Sequence, residues 1–550
     1  MFENMLKSYI VTLLLTLAIT NIGNAQLSTE KIQKIDSLFS DWSVPNHPGG
    51  AIAVMMEDSM VFSKAYGLAS LEHLLPNSTE TVFNLASVSK QFTAIGIVKL
   101  EEQGKLSIDD DIRLYIPEFP SFGKTITIRH LLHHTSGLRS FHYLLVLAGW
   151  RLNDERTNED LYRFMLKQKE LNFNPGDEYM YCNTGYMLMV NIIEKVTGEP
   201  FVSWMKSNVF DALGMYNTYI ETTSNAVHLN TATSYSGTES FQRNIEYWSY
   251  YGSANVNSTT SDLLVWLRNF YTPTQGWESE FELMQTLDRL NDGGYNNYAF
   301  GVEIDTYKGI KRIQHGGSTG GYRTFIGTLP SEKVSIVVLS NFSTANPPDK
   351  WKKVADIIFS EKSDHTKEIN FKPINLSAKK LNQYVGYYWE NKQKLNRKIT
   401  LKNDTLWYGT RSMVPISEDT FLINQQSGLK ANFNLKEAKV QMIISGDGSS
   451  PYQFDKYEYT TVTNEELKEY LGTYYSPEIE TTYTIYLKNG ALVCYHPRHG
   501  EIKMERIAQD KITAELPIVF AQIIRSTGGE VNGLRVSNGR VRNMWFEKQE

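Results

Sequence analysis

The chain has 550 residues, 41% hydrophobic and 21% charged, which is the composition of a globular protein of about three domains and excludes a disordered or fibrous chain. Its formal net charge of −6, with no long Lys/Arg block, gives no electrostatic basis for a nucleic-acid partner. The two cysteines, Cys182 and Cys494, lie far apart and are expected as buried free thiols rather than a disulfide framework.

Lys7, an apolar run from 9 to 19, and Gly23-Asn24-Ala25 before Gln26 describe a secretory signal peptide over residues 1–25. That run is shorter than the ~20 residues a membrane helix needs, so the expected product is secreted or periplasmic, without a stable span after cleavage. Apolar runs at 51–56 and 60–66, separated by Glu57-Asp58-Ser59, predict a hairpin. Then comes Asn84-Leu85-Ala86-Ser87-Val88-Ser89-Lys90, followed by a helical pattern with Phe92, Ile95, Val98 and Leu100 on one face and Gly104 as its stop. Ser87 and Lys90, three residues apart at a helix start, place a hydroxyl, an amine and backbone N–H groups together, as acyl transfer requires. Alone, the pattern is common by chance and describes a solvated lysine equally well.

His133-His134 are adjacent, have no third ligand at suitable spacing and read as structural; no metal or other cofactor is expected. From about 150 to 215 the pattern is mainly helical, with Leu188, Ile192 and Val196 ending at Gly198. Before that helix stands Tyr181-Cys182-Asn183. Tyr181 is a candidate general base if the Lys90 ammonium lowers its pKa, and Asn183 a candidate to orient Lys90 or bind a substrate amide. Thr259 and Asp262 form a capping-box pattern with the shorter acid. After 295 the period shortens: strands are expected at 299–304, 310–314, 322–329 and 334–340 as antiparallel neighbours, closed by a helix carrying Trp351, Val354, Ile357 and Ile358.

Gly316-Gly317-Ser318-Thr319-Gly320 satisfies G-x-S-x-G, but a strand rather than a helix follows, so Ser318 is not expected as a nucleophile. His315-Gly316-Gly317 instead reads as a glycine-flanked sheet edge on which a substrate backbone can lie. Residues 366–377 are a polar linker. Beyond it, Leu381, Tyr384, Gly386 and Tyr388 recur as Leu467, Tyr470, Gly472 and Tyr474, and Leu401-Lys402-Asn403 as Leu487-Lys488-Asn489, all shifted by 86 residues. The units 378–461 and 462–550 are therefore β repeats, either two small barrels or halves of one closed sheet.

Ser-x-x-Lys, Tyr-x-Asn and His-x-Gly, in that order, resemble the motifs of the serine β-lactamase and penicillin-binding superfamily, specifically its class C-like branch. Residues 132–138 and 258–263 are similar to that branch's supporting segments. The resemblance implies an α/β domain over 26–365, with an antiparallel sheet flanked by helices and a helical subdomain. It also implies a serine hydrolase in which Ser87 is acylated, Lys90 and Tyr181 handle protons, and the N–H groups of Ser87 and Ser318 hold the oxyanion. Asn183, His315 and Gly317 would line the substrate. Histidine where class C β-lactamases have Lys-Thr-Gly is similar to D-aminopeptidases and esterase-like relatives. It points to an amide, an ester or a D-amino-acid-containing peptide. β-Lactamase or D-alanyl-D-alanine carboxypeptidase activity is one alternative; a slowly deacylating penicillin-binding sensor or a non-catalytic binding protein is another. In the D-aminopeptidases, a loop from an appended β domain helps shape the pocket. The expected partner is a small molecule or short peptide, and no oligomeric state is read from the sequence.

Overall fold

The computed structural model describes residues 26–360 and 372–550, apart from Glu246, Gln393, 425–427, 436–439, 447–450 and 460–462. The expected signal peptide and the first half of the linker lie outside the described residues.

The catalytic half is built on a six-stranded antiparallel sheet. In chain order its strands are β1 (Gly50–Met56), β2 (Ser59–Tyr66), β3 (Glu303–Tyr307), β4 (Ile310–Thr319), β5 (Tyr322–Leu329) and β6 (Val334–Ser340). In space they run β3-β4-β5-β6-β1-β2, so the chain returns from its C-terminal strands to pair β6 with β1. The predicted hairpin and meander are both present. Three bounds move: β3 runs Glu303–Tyr307 rather than 299–304, and β4 continues through Thr319 rather than ending at 314. That extension matters, because β3 pairs with β4 only as far as Gln314. Among the described residues, 315–318 pair with β5 and with no strand on their other side, which leaves a strand edge beside the site.

Both faces of the sheet are covered at its centre, which is why the central strands β1 and β6 are almost continuously apolar. Ile52, Val54, Ile336 and Val338 pack against Trp351 and Val354 of the closing helix Pro347–Ile358. Ala51, Ala53, Val337 and Leu339 face the helical side. There, helix α1 (Lys90–Glu102) lies against α2 (Asn183–Thr197), which ends at Gly198 in the left-handed conformation, as its spacing predicts. The sequence predicts one apolar face for α1. Instead every residue from Lys90 to Val98 is buried, because α1 is the central helix and even Gln91 is enclosed, accepting a 2.7 Å bond from Trp266. Thr259 caps the following helix, but Asp262 does not complete the box: its carboxylate accepts from Asn217 N and Thr218 Oγ1.

The repeat resolves into two closed eight-stranded antiparallel barrels, each sealed by pairing its first strand with its last. The recurring Tyr-x-Gly-x-Tyr positions have a local cause. In each copy the second tyrosine's hydroxyl donates to the first one's carbonyl, Tyr388 to Tyr384 (2.9 Å) and Tyr474 to Tyr470 (2.8 Å). In each, the intervening glycine has a positive φ, Gly386 at 147° and Gly472 at 135°, and its missing side chain leaves room for a lysine, Lys456 or Lys548. The second barrel is not an appendage. Its core residues are continuous with those of the helical region, and Tyr483 Oη donates to Leu147 O across the junction. Cys182 and Cys494 are buried and free.

Candidate active site

Ser87 lies in a 3-10 turn, Ala86–Ser89, that runs directly into α1. Side chains at i and i+3 eclipse in such a turn, and Lys90 Nζ is accordingly 3.3 Å from Ser87 Oγ. The turn is clamped from several directions. Asn84 Oδ1 accepts from Ala86 N (2.8 Å), Thr324 Oγ1 donates to Leu85 O (3.0 Å), and Leu85 N donates to Val256 O (2.8 Å). Ala86, immediately before the nucleophile candidate, has φ of 50°, a conformation an L-residue holds only when its surroundings impose it. Strand β4 crosses at Gly317, where a Cβ would come within 2.2 Å of both Leu85 O and Thr324 Oγ1. Glycine is needed there so that the strand can reach the serine turn.

Ser87 is half-buried within a run of buried residues, whereas Lys90 is completely enclosed. Lys90 Nζ donates to Ser253 O at 2.7 Å and lies 4.8 Å from the Tyr181 ring centre and 5.7 Å from that of Tyr186. No carboxylate pairs with it among the described residues. Burial above all, and then the Arg540 guanidinium, hold its pKa well below the ordinary lysine value. Tyr181 moves the other way. Burial raises its pKa despite opposing effects of Ser87 and Arg540. Both shifts run against the expectation of an ammonium-activated phenolate: burial moves the lysine toward the neutral amine and the tyrosine toward the neutral phenol. Although Tyr181 Oη is close enough to feel Ser87, it completes no hydrogen bond among the described residues. Asn183 lines the cleft and its buried Oδ1 has no partner among the described residues, while Lys90 is held by Ser253 rather than by Asn183.

His315 is buried between Tyr298 and its own strand. Nδ1 lies 2.6 Å from Gly316 O and so carries the proton, leaving Nε2 to accept from Tyr298 Oη at 2.9 Å. Burial and the nearby Lys90 lower its pKa to about 3. At neutral pH it is an uncharged orienting group, not the partial cation the sequence suggests. Ser318 is the next-to-last residue of β4, paired with Arg323 and exposed, and the strand β5 rather than a helix follows it, so the nucleophile-elbow geometry is absent. Ser318→Ala is therefore expected to retain more than about a third of wild-type kcat/KM in steady-state assays, the ordinary range for an exposed side chain. A collapse to the Ser87→Ala floor would reopen the elbow.

His133 and His134 are structural, as expected. His133 Nδ1 bonds to Tyr298 O, and His134 Nδ1 accepts from Cys182 N, which fixes the chain at Tyr181. All seven site candidates except Lys90 line one cleft of about 1140 Å³; Lys90 lies beneath it, bonded to Ser87. Sequence reasoning missed Tyr298, Ser253 and Arg540. Ser253 contributes only a carbonyl, which leaves no trace in residue type. Arg540 comes from the second barrel, in the turn between the strands Val531–Asn538 and Val541–Lys548.

These motifs, assembled on this sheet, define a family. Residues 40–357 match the family described as Beta-lactamase, and the chain belongs to that family. It is a serine hydrolase. Among its relatives, the chain is 27% identical over 452 residues to Penicillin-binding protein 4* of Bacillus subtilis (strain 168), a match covering 77% of this chain and 98% of that protein. It is 27% identical over 302 residues to a D-aminopeptidase of Gluconobacter oxydans (strain 621H), covering 54% of this chain and 56% of the relative. Among solved structures it resembles the octameric penicillin-binding protein homologue from Pyrococcus abyssi, with TM-score 0.55 and 25% identity, covering 77% of this chain and all of that one.

Proposed function

We propose that the protein is an exported hydrolase that cleaves amides or esters, among them D-amino-acid-containing peptides, through an acyl-enzyme on Ser87. The observation that carries the proposal is the 3.3 Å contact between Ser87 Oγ and a fully buried Lys90 that has no carboxylate partner among the described residues. The free amine of Lys90 takes the Ser87 proton as Oγ attacks the carbonyl, and the oxyanion is held by the N–H groups of Ser87 and Ser318. The Tyr181 phenol donates a proton to the leaving group, with Lys90 restoring it, and water then releases the acid by the reverse route. The substrate backbone lies along the edge of residues 315–318, where no second strand pairs among the described residues, and Asn183 Oδ1 accepts an N–H from it. A neutral His315 supplies no charge for a carboxylate lying on that strand, which favours D-aminoacyl amides and esters over β-lactams. Kinship with a D-aminopeptidase supports the same choice.

A panel of D-amino-acid amides, D-Ala-D-Ala peptides, short acyl esters and nitrocefin tests this. The expected result is Ser87-dependent turnover of an amide or ester and slow or no turnover of nitrocefin; the reverse ranking overturns the substrate reading. The pH profile tests the proton roles. Activity requires unprotonated Lys90, so log kcat/KM should rise with pH and level off well below 10.5, the ordinary lysine value. Because the Tyr181 pKa is raised above 10.0, no alkaline fall is expected up to that pH. A rate still climbing one decade per unit at pH 9–10 would contradict a lowered Lys90.

A further inference from the structure

The turn Asn538-Gly539-Arg540-Val541 is pressed into the catalytic region. Gly539 has φ of 50°, and a Cβ on it would come within 2.5 Å of the Tyr143 ring. Asn172 grips the turn at two points: its Nδ2 donates to Arg540 O (3.0 Å), and its Oδ1 accepts from Arg542 N (2.7 Å). Ser140 N also donates to Arg540 O (3.3 Å), and Asn538 Nδ2 donates to Tyr143 O (3.3 Å). The backbone of Arg540 is thus fixed, and its side chain lines the cleft with its guanidinium 4.7 Å from the Tyr181 ring centre.

No carboxylate lies within ion-pair distance of Arg540 among the described residues. The acid in the cleft, Glu303, accepts from Gln314 Nε2 at 2.7 Å, and neighbouring Arg542 takes Glu178. The other cleft arginines are occupied by backbone: Arg156 donates to Arg151 O (2.7 Å), and Arg323 to Gly320 O (2.9 Å) and Tyr322 O (2.7 Å). A guanidinium stacked on a phenol ring keeps its edge N–H groups free, in the planar fork that matches a carboxylate. Having its backbone anchored beforehand lowers the ordering cost of such a contact.

We propose that Arg540 is the anion-binding residue of the active site, supplied by the second barrel, and that the enzyme selects acyl substrates carrying a carboxylate on the part that lies over Tyr181. The proposal rests on the hydrolase reading above and names its substrate class. It also gives the second barrel a role in specificity, because a charge reaches the Tyr181 side of the cleft from a turn more than two hundred residues away in the chain from His315.

Two matched ester pairs test it: 4-nitrophenyl monosuccinate against its methyl ester, with the charge on the acyl side, and 3-carboxyphenyl phenylacetate against its 3-carboxamide, with the charge on the leaving side. For at least one pair, wild-type kcat/KM should favour the carboxylate by about tenfold or more, the equivalent of one charge-assisted bond. The ratio should fall to about unity in Arg540→Ala and recover in part in Arg540→Lys, which keeps the charge without the fork. The ratio is the readout, since Arg540 also acts on Lys90 and Tyr181. No preference in either pair, or a preference that survives in Arg540→Ala, overturns the proposal. If no ester shows Ser87-dependent turnover, the hydrolase reading fails separately, and the anion site is judged by calorimetry of the same esters on Ser87→Ala. There, at least about tenfold weaker binding of a carboxylate ester after adding Arg540→Ala supports it, and a smaller change overturns it.

Discussion

Replacing Ser87 by alanine is expected to lower kcat by roughly ten-thousandfold or more, to the floor set by the remaining donors and binding groups. The loss is this large because Lys90 and Tyr181 act through the serine: with Oγ gone there is no proton to take and no bond to make. Stability should change by less than about 1 kcal/mol, since a half-buried hydroxyl with one long contact contributes little. Lys90 keeps its 2.7 Å bond to Ser253 O, so the buried amine is not orphaned. Steady-state rates on the best ester, with urea melts of both proteins, check the two halves of this expectation. A variant that retains even a tenth of the activity would remove Ser87 from the mechanism.

Glu478→Ala is expected to have the largest effect on stability, about 3–5 kcal/mol, the usual cost of removing one partner from a buried ion pair. Arg139, with no exposed side-chain surface, donates to Glu478 Oε2 at 2.8 Å, and the same carboxylate oxygen accepts from Lys169 N. Arg139 also reaches the carbonyls of Arg542 and Asn543 on the last barrel strand. Deleting Glu478 leaves the enclosed guanidinium with only the longer, half-exposed Glu170 contact (3.7 Å) as its anion, at the junction that carries the Arg540 turn. The urea midpoint should drop, and activity should fall with it in the folded fraction. The double variant Arg139→Met with Glu478→Met should recover much of the stability, because the charge is then absent rather than stranded. A single variant within about 1 kcal/mol of wild type would mean that the Arg139–Glu478 pair does not hold the barrel in place.

Much of the fold was legible because its signals are local. The β1–β2 hairpin, β5, β6 and the end of α2 follow from period and turn residues that act within a few positions. Errors arose where tertiary context decided. Helix α1 shows an apolar stripe yet is buried all round, since the sheet, α2 and the Trp266 helix surround it. β4 outruns β3 because Gly316 and Gly317 let it pass the serine turn, which no alternation pattern records. The repeat was visible as a sequence shift, but its closure into two barrels depends on pairing across some seventy residues. At the site, Ser87, Lys90, Tyr181, Asn183 and His315 converge as their motifs imply. Their charge states did not follow from residue type: burial turns the lysine toward the neutral amine, the tyrosine toward the neutral phenol and the histidine toward a neutral ring. Arg540 had no signal at all, for its place is fixed by Asn172 and Tyr143, distant in the chain.

The central claim is that Ser87, deprotonated by a neutral Lys90, carries the acyl group. Acid quenching during turnover of a slowly deacylated ester, followed by intact mass and peptide mapping, tests this most directly. The account predicts a mass increase equal to the acyl group, stoichiometric with protein and confined to the peptide containing Ser87, and absent in Ser87→Ala. Turnover without any adduct, or an adduct mapping to Ser318, would contradict it.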